Sequence, residues 1–266
     1  RILVGQLGST TDMWCFFYPI RKVRLVAMYS MEGRVRYSEV DCNRRMTFSA
    51  LLNYFQDCCT FQSEDLGVGV EFLESRQAAW MLVSWQVVVE RQPLLGEHIC
   101  VKTWPYDFGG FYGYRNFTLE GADGQIIAYA NSVWVYMNLA NGRPAGIADK
   151  LLEVYEKEPR FDMEYRERKI AAIKDGEGIR AEGFGVHPSQ IDTNQHVNNE
   201  RYIEMAKEYL PECFEIHEMQ AEYRKSAVLG DTIYPIVQEE ECTVTVVLAD
   251  EKEKPYAIVK FFRKEA

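Results

Sequence analysis

Two segments of the chain carry the apolar pattern of a helix, and they differ in how much of the helix surface is apolar. Between Phe48 and Phe61 apolar residues occupy nearly every side, which predicts a helix that is buried all round. After Asn198 a single apolar stripe predicts an amphipathic helix, capped by Asn198 or Asn199 and ended by Pro211. The stripe consists of Tyr202, Ile203, Ala206 and Tyr209, and the positions predicted to face water are Glu200, Glu204, Lys207 and Glu208.

Runs rich in β-branched and aromatic residues follow each helix and are separated by turn residues, which predicts strands. The first set is Met81–Val89, His98–Trp104, Tyr112–Leu119 and Gln125–Met137. The second set is Thr232–Gln238, Cys242–Leu248 and Tyr256–Phe262. A helix followed by an antiparallel meander, occurring twice, predicts the α+β class. A further helix is predicted between the two sets, from Ile147 to Glu158.

The chain repeats itself in two blocks. Val35–Asp57 aligns with Val186–Glu208, 151 residues later, and Gln86–Ile99 aligns with Gln220–Ile233, 134 residues later. The identical pairs in the first block are Val35/Val186, Ser38/Ser189, Asp41/Asp192 and Asn43/Asn194. We call the two halves the first and the second copy, and a duplication of one helix-and-strand unit explains them.

The repeat sets the predicted domain boundaries. Residues 1–30 form an N-terminal extension of uncertain status, and Met28 or Met31 is a candidate start of the protein. Residues 31–140 are the first domain, 141–180 a linker that contains a helix, and 181–266 the second domain. Charged residues interrupt the apolar stretches of the extension, which argues against a signal peptide.

Charge and composition exclude several classes of function. The 266 residues carry a net charge of −10, and a general nucleic-acid binder needs the opposite sign. No apolar run is long enough for a membrane span. The seven cysteines show no paired spacing and the four histidines no ligand spacing, so we expect free thiols in a reducing cytoplasm and no metal. The adjacent Cys58 and Cys59 are interpreted as core residues and not as nucleophiles.

Four motifs resemble those of one enzyme family. "DTNQHVNN" at Asp192–Asn199 is similar to the signature of the acyl-[acyl carrier protein] thioesterases of plants and bacteria. The other three are "WQVVVERQPLLGE" at Trp85–Glu97, "NSVWVYMN" at Asn131–Asn138 and "EYRKSAVLGD" at Glu222–Asp231. The resemblance covers Met31 to the C-terminus. It implies two tandem hotdog domains, each a long buried helix wrapped by a curved antiparallel sheet.

The resemblance also implies a function, the hydrolysis of fatty acyl thioesters of acyl carrier protein to end fatty acid synthesis, without a cofactor. Its catalytic residues would be Asp192, Asn194 and His196. The start of a helix offers free N–H groups and a positive dipole end, which suit the oxyanion of a thioester carbonyl. Val197, Asn198 and Asn199 are therefore candidates for contacting the substrate.

One position departs from the family pattern. The plant enzymes have a catalytic glutamate after the E-Y-R-R strand, and here Ser226 stands in its place. Three residues remain candidates for the role of this glutamate. Ser226 could hold the water, Glu222 could act as a substitute carboxylate, and Asp192 could act as the base. The first copy has Arg45 where the second has His196, so the first copy is predicted to provide the acyl pocket.

The carrier protein is acidic, so its docking calls for local cations on this acidic chain. Candidates are Arg44, Arg45, Arg224 and Lys225. Two alternatives stay open, an acyl-CoA thioesterase that uses the same site and a non-catalytic acyl-binding hotdog protein. The sequence also leaves open whether the protein is a monomer or a homodimer.

Overall fold

A computed structural model describes residues 28–174, 176–192 and 194–264. Most of the predicted extension lies outside this part of the chain, although Tyr29 and Ser30 already belong to a strand. The elements of the first copy are β1 (Tyr29–Arg34), α1 (Phe48–Asp65), α2 (Val70–Glu74), β2 (Ala78–Val89), β3 (His98–Gly109), β4 (Tyr112–Gly121) and β5 (Ile126–Asn138). Then follow β6 (Arg143–Pro144), α3 (Asp149–Val154), β7 (Ile179–Arg180), β8 (Phe184–Gly185), α4 (Asn199–Lys207), β9 (Ile216–Tyr223), β10 (Thr232–Glu239), β11 (Thr243–Ala249) and β12 (Pro255–Arg263).

The described strands form one continuous sheet in which the two copies meet edge to edge. Its order is β1-β3-β4-β5-β2-β9-β12-β11-β10-β7, with β6 on β5 and β8 on β10. The copies join where β2 pairs antiparallel with β9. Gln86 lies opposite Gln220, its own equivalent in the repeat, so a pseudo-two-fold axis passes between these two residues.

Helix α1 fills the inner side of the first copy. The Thr47 hydroxyl caps its start by accepting from the Ala50 N–H at 3.2 Å. Phe55 is fully buried and packs against the rings of Trp85 and Phe117, 6.2 and 5.2 Å away between centroids. Most of α1 is buried, but the prediction of burial on all sides is wrong for one face, where Asn53, Asp57, Thr60 and Phe61 are exposed.

Helix α4 occupies the same place in the second copy but is half as long. It has 9 residues against 18 in α1, so the expectation of a long helix in each copy is wrong for the second. Leu210 donates its N–H to the Lys207 carbonyl in a tightened last turn, and Pro211 then prevents the helix from continuing. Between the copies, α3 is also shorter than predicted, since Tyr155 has already left helical geometry.

The segment between the copies runs along the outer face of the sheet and crosses the junction of the two copies. Gln86 donates to the Glu164 carbonyl at 2.8 Å and accepts from the Arg166 N–H at 3.0 Å. Arg166 forms a two-bond ion pair with Glu218 of β9, at 2.5 and 2.7 Å. Further along, Ile170 packs on the outer face of the second copy.

The architecture confirms the predicted class and fold. It is α+β, with two hotdog units in tandem and a main hydrophobic core that includes residues of α1, α4 and the strands of both copies. Within the described residues, no helix is long and apolar enough to cross a membrane.

Candidate active site

The motif loop before α4 is organised by the carboxylate of Asp192. One of its oxygens accepts from the backbone N–H of Asn194 at 2.8 Å and from that of His196 at 3.2 Å. The Asp192 N–H donates to the His196 carbonyl at 2.8 Å, which closes the loop. Gln195 lies at its tip with a φ of 63°, a left-handed conformation that the loop imposes on a non-glycine residue.

The first copy builds the same loop. Asp41 accepts from Asn43 at 2.8 Å and from Arg45 at 3.0 Å, and its N–H donates to the Arg45 carbonyl at 2.8 Å. Arg44 takes the left-handed position with a φ of 61°. Because the loop forms without a histidine, the aspartate's backbone contacts are a structural property of the repeat.

The loop of the second copy opens onto a cavity of the first. Asn194 lies on the wall of a cavity of 380 Å³, and all other lining residues come from the first copy and the segment that follows it. Its apolar wall includes Val70, Leu73, Trp80, Phe108 and Trp134. This volume is in the range of small-molecule sites.

Two buried polar atoms near the start of α4 have no hydrogen-bond partner among the described residues. They are His196 Nδ1 and Glu200 Oε1. Glu200 was predicted to face water and is instead only 5% exposed, so this prediction is wrong. Helix α4 packs against α1 and against strands β11 and β12, which leaves little of its surface exposed. Burial, reinforced by the charge of Glu204, raises the pKa of Glu200 to about 7.

The remaining motif residues hold the start of α4 in place. Val197 donates its N–H to the Ala227 carbonyl, and Asn198 donates to the Gln190 carbonyl, each at 2.9 Å. The Asn198 side chain caps the helix by accepting from the Glu200 N–H at 3.0 Å. The Asn199 carbonyl accepts from the Tyr223 hydroxyl at 2.9 Å. Two of the candidate oxyanion donors, the N–H groups of Val197 and Asn198, are therefore already engaged within the protein.

Family models match most of the chain. The model described as acyl-ACP thioesterase N-terminal domain matches residues 27–155, and that described as acyl-ACP thioesterase C-terminal domain matches residues 173–261. The chain belongs to the acyl-ACP thioesterase family.

Similar curated proteins and solved structures agree with this family. An acyl-[acyl-carrier-protein] hydrolase of Cuphea viscosissima is 27% identical over 209 residues, which cover 72% of this chain and 50% of that protein. An oleoyl-acyl carrier protein thioesterase of Arabidopsis thaliana is 25% identical, over 77% of this chain and 62% of that protein. The chain thus spans about half the length of the first of these relatives. A 12:0-ACP thioesterase from Umbellularia californica has the same fold, with a TM-score of 0.80 at 20% identity, covering 90% of this chain and 97% of that one.

Within this thioesterase family member, the position of the missing glutamate lies close to the motif loop. Ser226 is in the loop after β9, directly before the Ala227 carbonyl that accepts from the Val197 N–H. Its equivalent in the first copy, Gln92, reaches the Met46 carbonyl at the start of α1. Position 226 is thus placed beside the start of α4.

Glu222 faces away from that loop. Along β9, Met219 and Ala221 point into the core, so Glu222 lies on the opposite face of the sheet. There its carboxylate accepts from the Ile170 N–H at 3.0 Å and pairs with Arg224. This removes Glu222 as a substitute for the missing glutamate, because alternate strand positions cannot serve the same face.

The four docking candidates do not form one patch. Arg44 and Arg45 are exposed at the loop of the first copy. Arg224 is paired with Glu222 at 3.0 Å, and Lys225 with Asp250 at 3.4 Å, both beyond the end of β9. No three acidic, histidine or cysteine side chains of the described residues cluster as metal ligands would.

Sequence reasoning missed two residues near the site, Glu200 and Arg115. Arg115 lies on the cavity wall and is only 8% exposed. The sequence contains a signal for this burial. Arg115, Phe117 and Leu119 are spaced by two residues and so lie on the same face of the strand, and Phe117 and Leu119 are buried. Glu200 has no such signal, because its position in the first turn of an amphipathic helix looks solvent-facing.

Proposed function

We propose that the protein hydrolyses the thioester of a fatty acyl group on acyl carrier protein and releases the free fatty acid. The observation that carries this proposal is the position of Asn194, a motif residue of the second copy, on the wall of a cavity built by the first. A thioester carbonyl held beside Asn194 would leave its acyl chain in the cavity. Family membership supports this reaction class.

In the proposed reaction, water adds to the thioester carbonyl carbon and the carbon–sulfur bond then breaks. His196 takes the proton of the attacking water and returns it to the departing thiolate, so that acid and thiol leave as products. Asn194 orients the water or donates to the carbonyl oxygen as it gains charge. Asp192 keeps both residues in place through its two backbone hydrogen bonds.

The first copy serves as the acyl pocket. It keeps the loop but has Arg45 in place of His196, so it lacks the imidazole that the proposed reaction needs. Apolar contacts hold the chain, each buried methylene contributing about 0.8 kcal/mol. Together with the motif residues, this assigns binding to the first copy and chemistry to the second.

The proposal also names acyl carrier protein as the partner and the cytoplasm as the compartment. Acyl carrier protein presents its acyl-phosphopantetheine arm at the start of α4. Among the candidate contacts for its acidic surface, Arg224 and Lys225 belong to the same copy as α4, whereas Arg44 and Arg45 lie at the loop of the first copy and would form a separate contact. The six described cysteines are free thiols, which suits the reducing cytoplasm. The domain boundaries at 30, 140 and 180 also remain proposals.

An assay with matched substrates tests the function. Acyl carrier protein and CoA thioesters of the same chain length are compared, with wild type, His196→Ala and Asn194→Ala. We expect faster turnover of the carrier-protein thioester and at least about a 100-fold loss in each variant, as for removal of a general base or an oxyanion donor. A preference for CoA would favour the acyl-CoA alternative. Binding of acyl groups without turnover of any thioester would favour the non-catalytic alternative.

A further inference from the structure

A buried cation lies in the wall of the acyl cavity. Arg115 belongs to the inward-facing row of β4 and lines the cavity with 8% of its surface exposed. In the same row, Phe117 and Leu119 belong to the hydrophobic core and are fully buried. An arginine keeps its charge in proteins, so its place in this row calls for a compensating group.

The neighbours of Arg115 do not neutralise it. Its Nη1 donates to the Gln62 side-chain carbonyl and to the Thr103 hydroxyl, the latter at 3.1 Å, and both acceptors are uncharged. The two carboxylates that line the cavity, Glu64 and Glu74, form no ion pair with it, nor does any other acidic side chain of the described residues. Every hydrogen bond of the guanidinium to described residues uses Nη1, and its Nε and Nη2 are not among the fully enclosed atoms without a partner. These two nitrogens therefore keep some exposed surface in a residue that lines the cavity, and no described residue accepts a hydrogen bond from them.

Other polar groups surround the same part of the wall. The hydroxyls of Ser63 and Tyr155 lie 2.6 Å apart and both residues line the cavity. The Arg115 guanidinium carbon is 5.4 Å from the centre of the Tyr155 ring. The wall thus combines apolar side chains, among them Trp80 and Trp134, with these polar groups.

An unsubstituted alkyl chain has no atom that could accept a hydrogen bond from Arg115. Filling the cavity with such a chain would remove the water that solvates the guanidinium and leave its open donors unpaired, which is unfavourable. A chain that carries an oxygen at the right position would pair with them. The same donors would then discriminate strongly against chains that lack the oxygen, because sites built to hydrogen-bond a substrate group reject analogues without it.

We propose that Arg115 forms a subsite for an oxygen atom on the acyl chain, so that the preferred substrates are acyl groups bearing a hydroxyl, keto or carboxylate oxygen beyond the thioester. This proposal rests on the proposed function for its view of the cavity as an acyl pocket. It narrows the substrate class from fatty acyl groups in general to oxygenated ones.

Equilibrium binding tests the subsite without requiring turnover. The probes are ten-carbon S-alkyl thioethers of N-acetylcysteamine, one unsubstituted and the others with a keto or hydroxyl group at successive chain positions. We expect wild-type protein to bind at least one oxygenated probe 10-fold or more tightly than the unsubstituted one. Equal or weaker binding of every oxygenated probe would overturn the proposal.

Two variants assign the preference to Arg115 and a third serves as control. Arg115→Met should abolish the preference by removing the donors. Gln62→Glu should also reduce the preference several-fold while keeping the arginine. Residue 62 already accepts a hydrogen bond from Arg115, so a carboxylate at this position would neutralise the guanidinium. Arg143→Met makes the same change at an exposed arginine that does not line the cavity, and it should bind like wild type. A preference that survives both Arg115→Met and Gln62→Glu would contradict the assignment.

The binding and turnover measurements distinguish failure of the subsite from failure of the proposed function. If the oxygenated probes bind more tightly but no thioester is hydrolysed, the subsite stands and the proposed function fails. If thioesters are hydrolysed but wild type shows no preference among the probes, the function stands and the subsite fails.

Discussion

At the scale of single residues, Asp192 has two candidate roles that the structure makes separable. Its carboxylate holds the motif loop through two backbone N–H groups, as Asp41 does in a copy without the histidine. An asparagine side chain has one carbonyl oxygen that could accept the same two bonds, whereas an alanine has none. Substitutions at this position therefore distinguish a loop organiser from a base.

We expect Asp192→Asn to keep the loop and Asp192→Ala to lose about 1–2 kcal/mol of unfolding free energy, the usual effect of removing a capping side chain. Chemical denaturation measures this, with Asp41→Asn and Asp41→Ala as the matched pair in the first copy. If Asp192 only organises the loop, Asp192→Asn should retain turnover within a few-fold. A loss of turnover in Asp192→Asn with unchanged stability would instead identify Asp192 as the base.

Glu200 predicts a pH dependence of stability. Burial and the neighbouring Glu204 raise its pKa from 4.5 to about 7 in the folded protein. Between these values the unfolded chain releases this proton while the folded protein retains it, so the free energy of unfolding falls as pH rises. Glu200→Gln removes the effect, and the variant should gain up to about 3 kcal/mol relative to wild type between pH 4.5 and pH 8.

Denaturant titrations across that pH range measure the difference. Glu208→Gln is the control, since Glu208 follows the same helix and is exposed, and it should follow the wild-type profile. A constant offset between Glu200→Gln and wild type over the whole range would show that Glu200 does not titrate in this window.

At the scale of elements, the pattern of apolar residues predicted α1 and α4 and the strands that follow them. It could not predict that α4 packs on α1, because contacts between distant segments leave no trace in local periodicity. For this reason Glu200 was expected in water and is buried. The face on which Glu222 lies and the position of Ser226 likewise depend on where β9 ends and on which of its side chains point into the core. A resemblance in sequence does not provide this information.

The start of α4 is the element on which the site depends most directly. Asn198 caps it with its side chain, while Asn199 contributes its backbone carbonyl to Tyr223. Asn198→Ala should therefore destabilise the protein by about 1 kcal/mol, and Asn199→Ala should have a smaller effect. Thermal unfolding of both variants tests this ranking, and an equal loss in both would contradict the capping role of Asn198.

At the scale of the whole molecule, duplication explains why the loops, helices and strands of the two copies are related by a pseudo-two-fold axis. The repeat in sequence revealed the duplication but not the junction at which Gln86 pairs with Gln220. The linker also gave no signal of its position, because its residues are charged and irregular. In the structure it crosses the outer face and satisfies buried polar side chains of both copies, including Gln86 and Glu218.

The ion pair between Arg166 and Glu218 therefore couples the linker to the junction, and a double-mutant cycle should show it. The Glu218 side chain is 10% exposed and the pair has two hydrogen bonds, so Arg166→Met alone should cost about 2–3 kcal/mol by leaving a buried carboxylate unpaired. Adding Glu218→Gln should recover part of that loss, which gives a coupling energy of about 1 kcal/mol or more. The control is Arg180–Glu253, whose side chains are 40% and 56% exposed, and Arg180→Met with Glu253→Gln should show a coupling below about 0.5 kcal/mol. Similar coupling in both cycles would mean that the linker contributes no more to the junction than an ordinary surface contact.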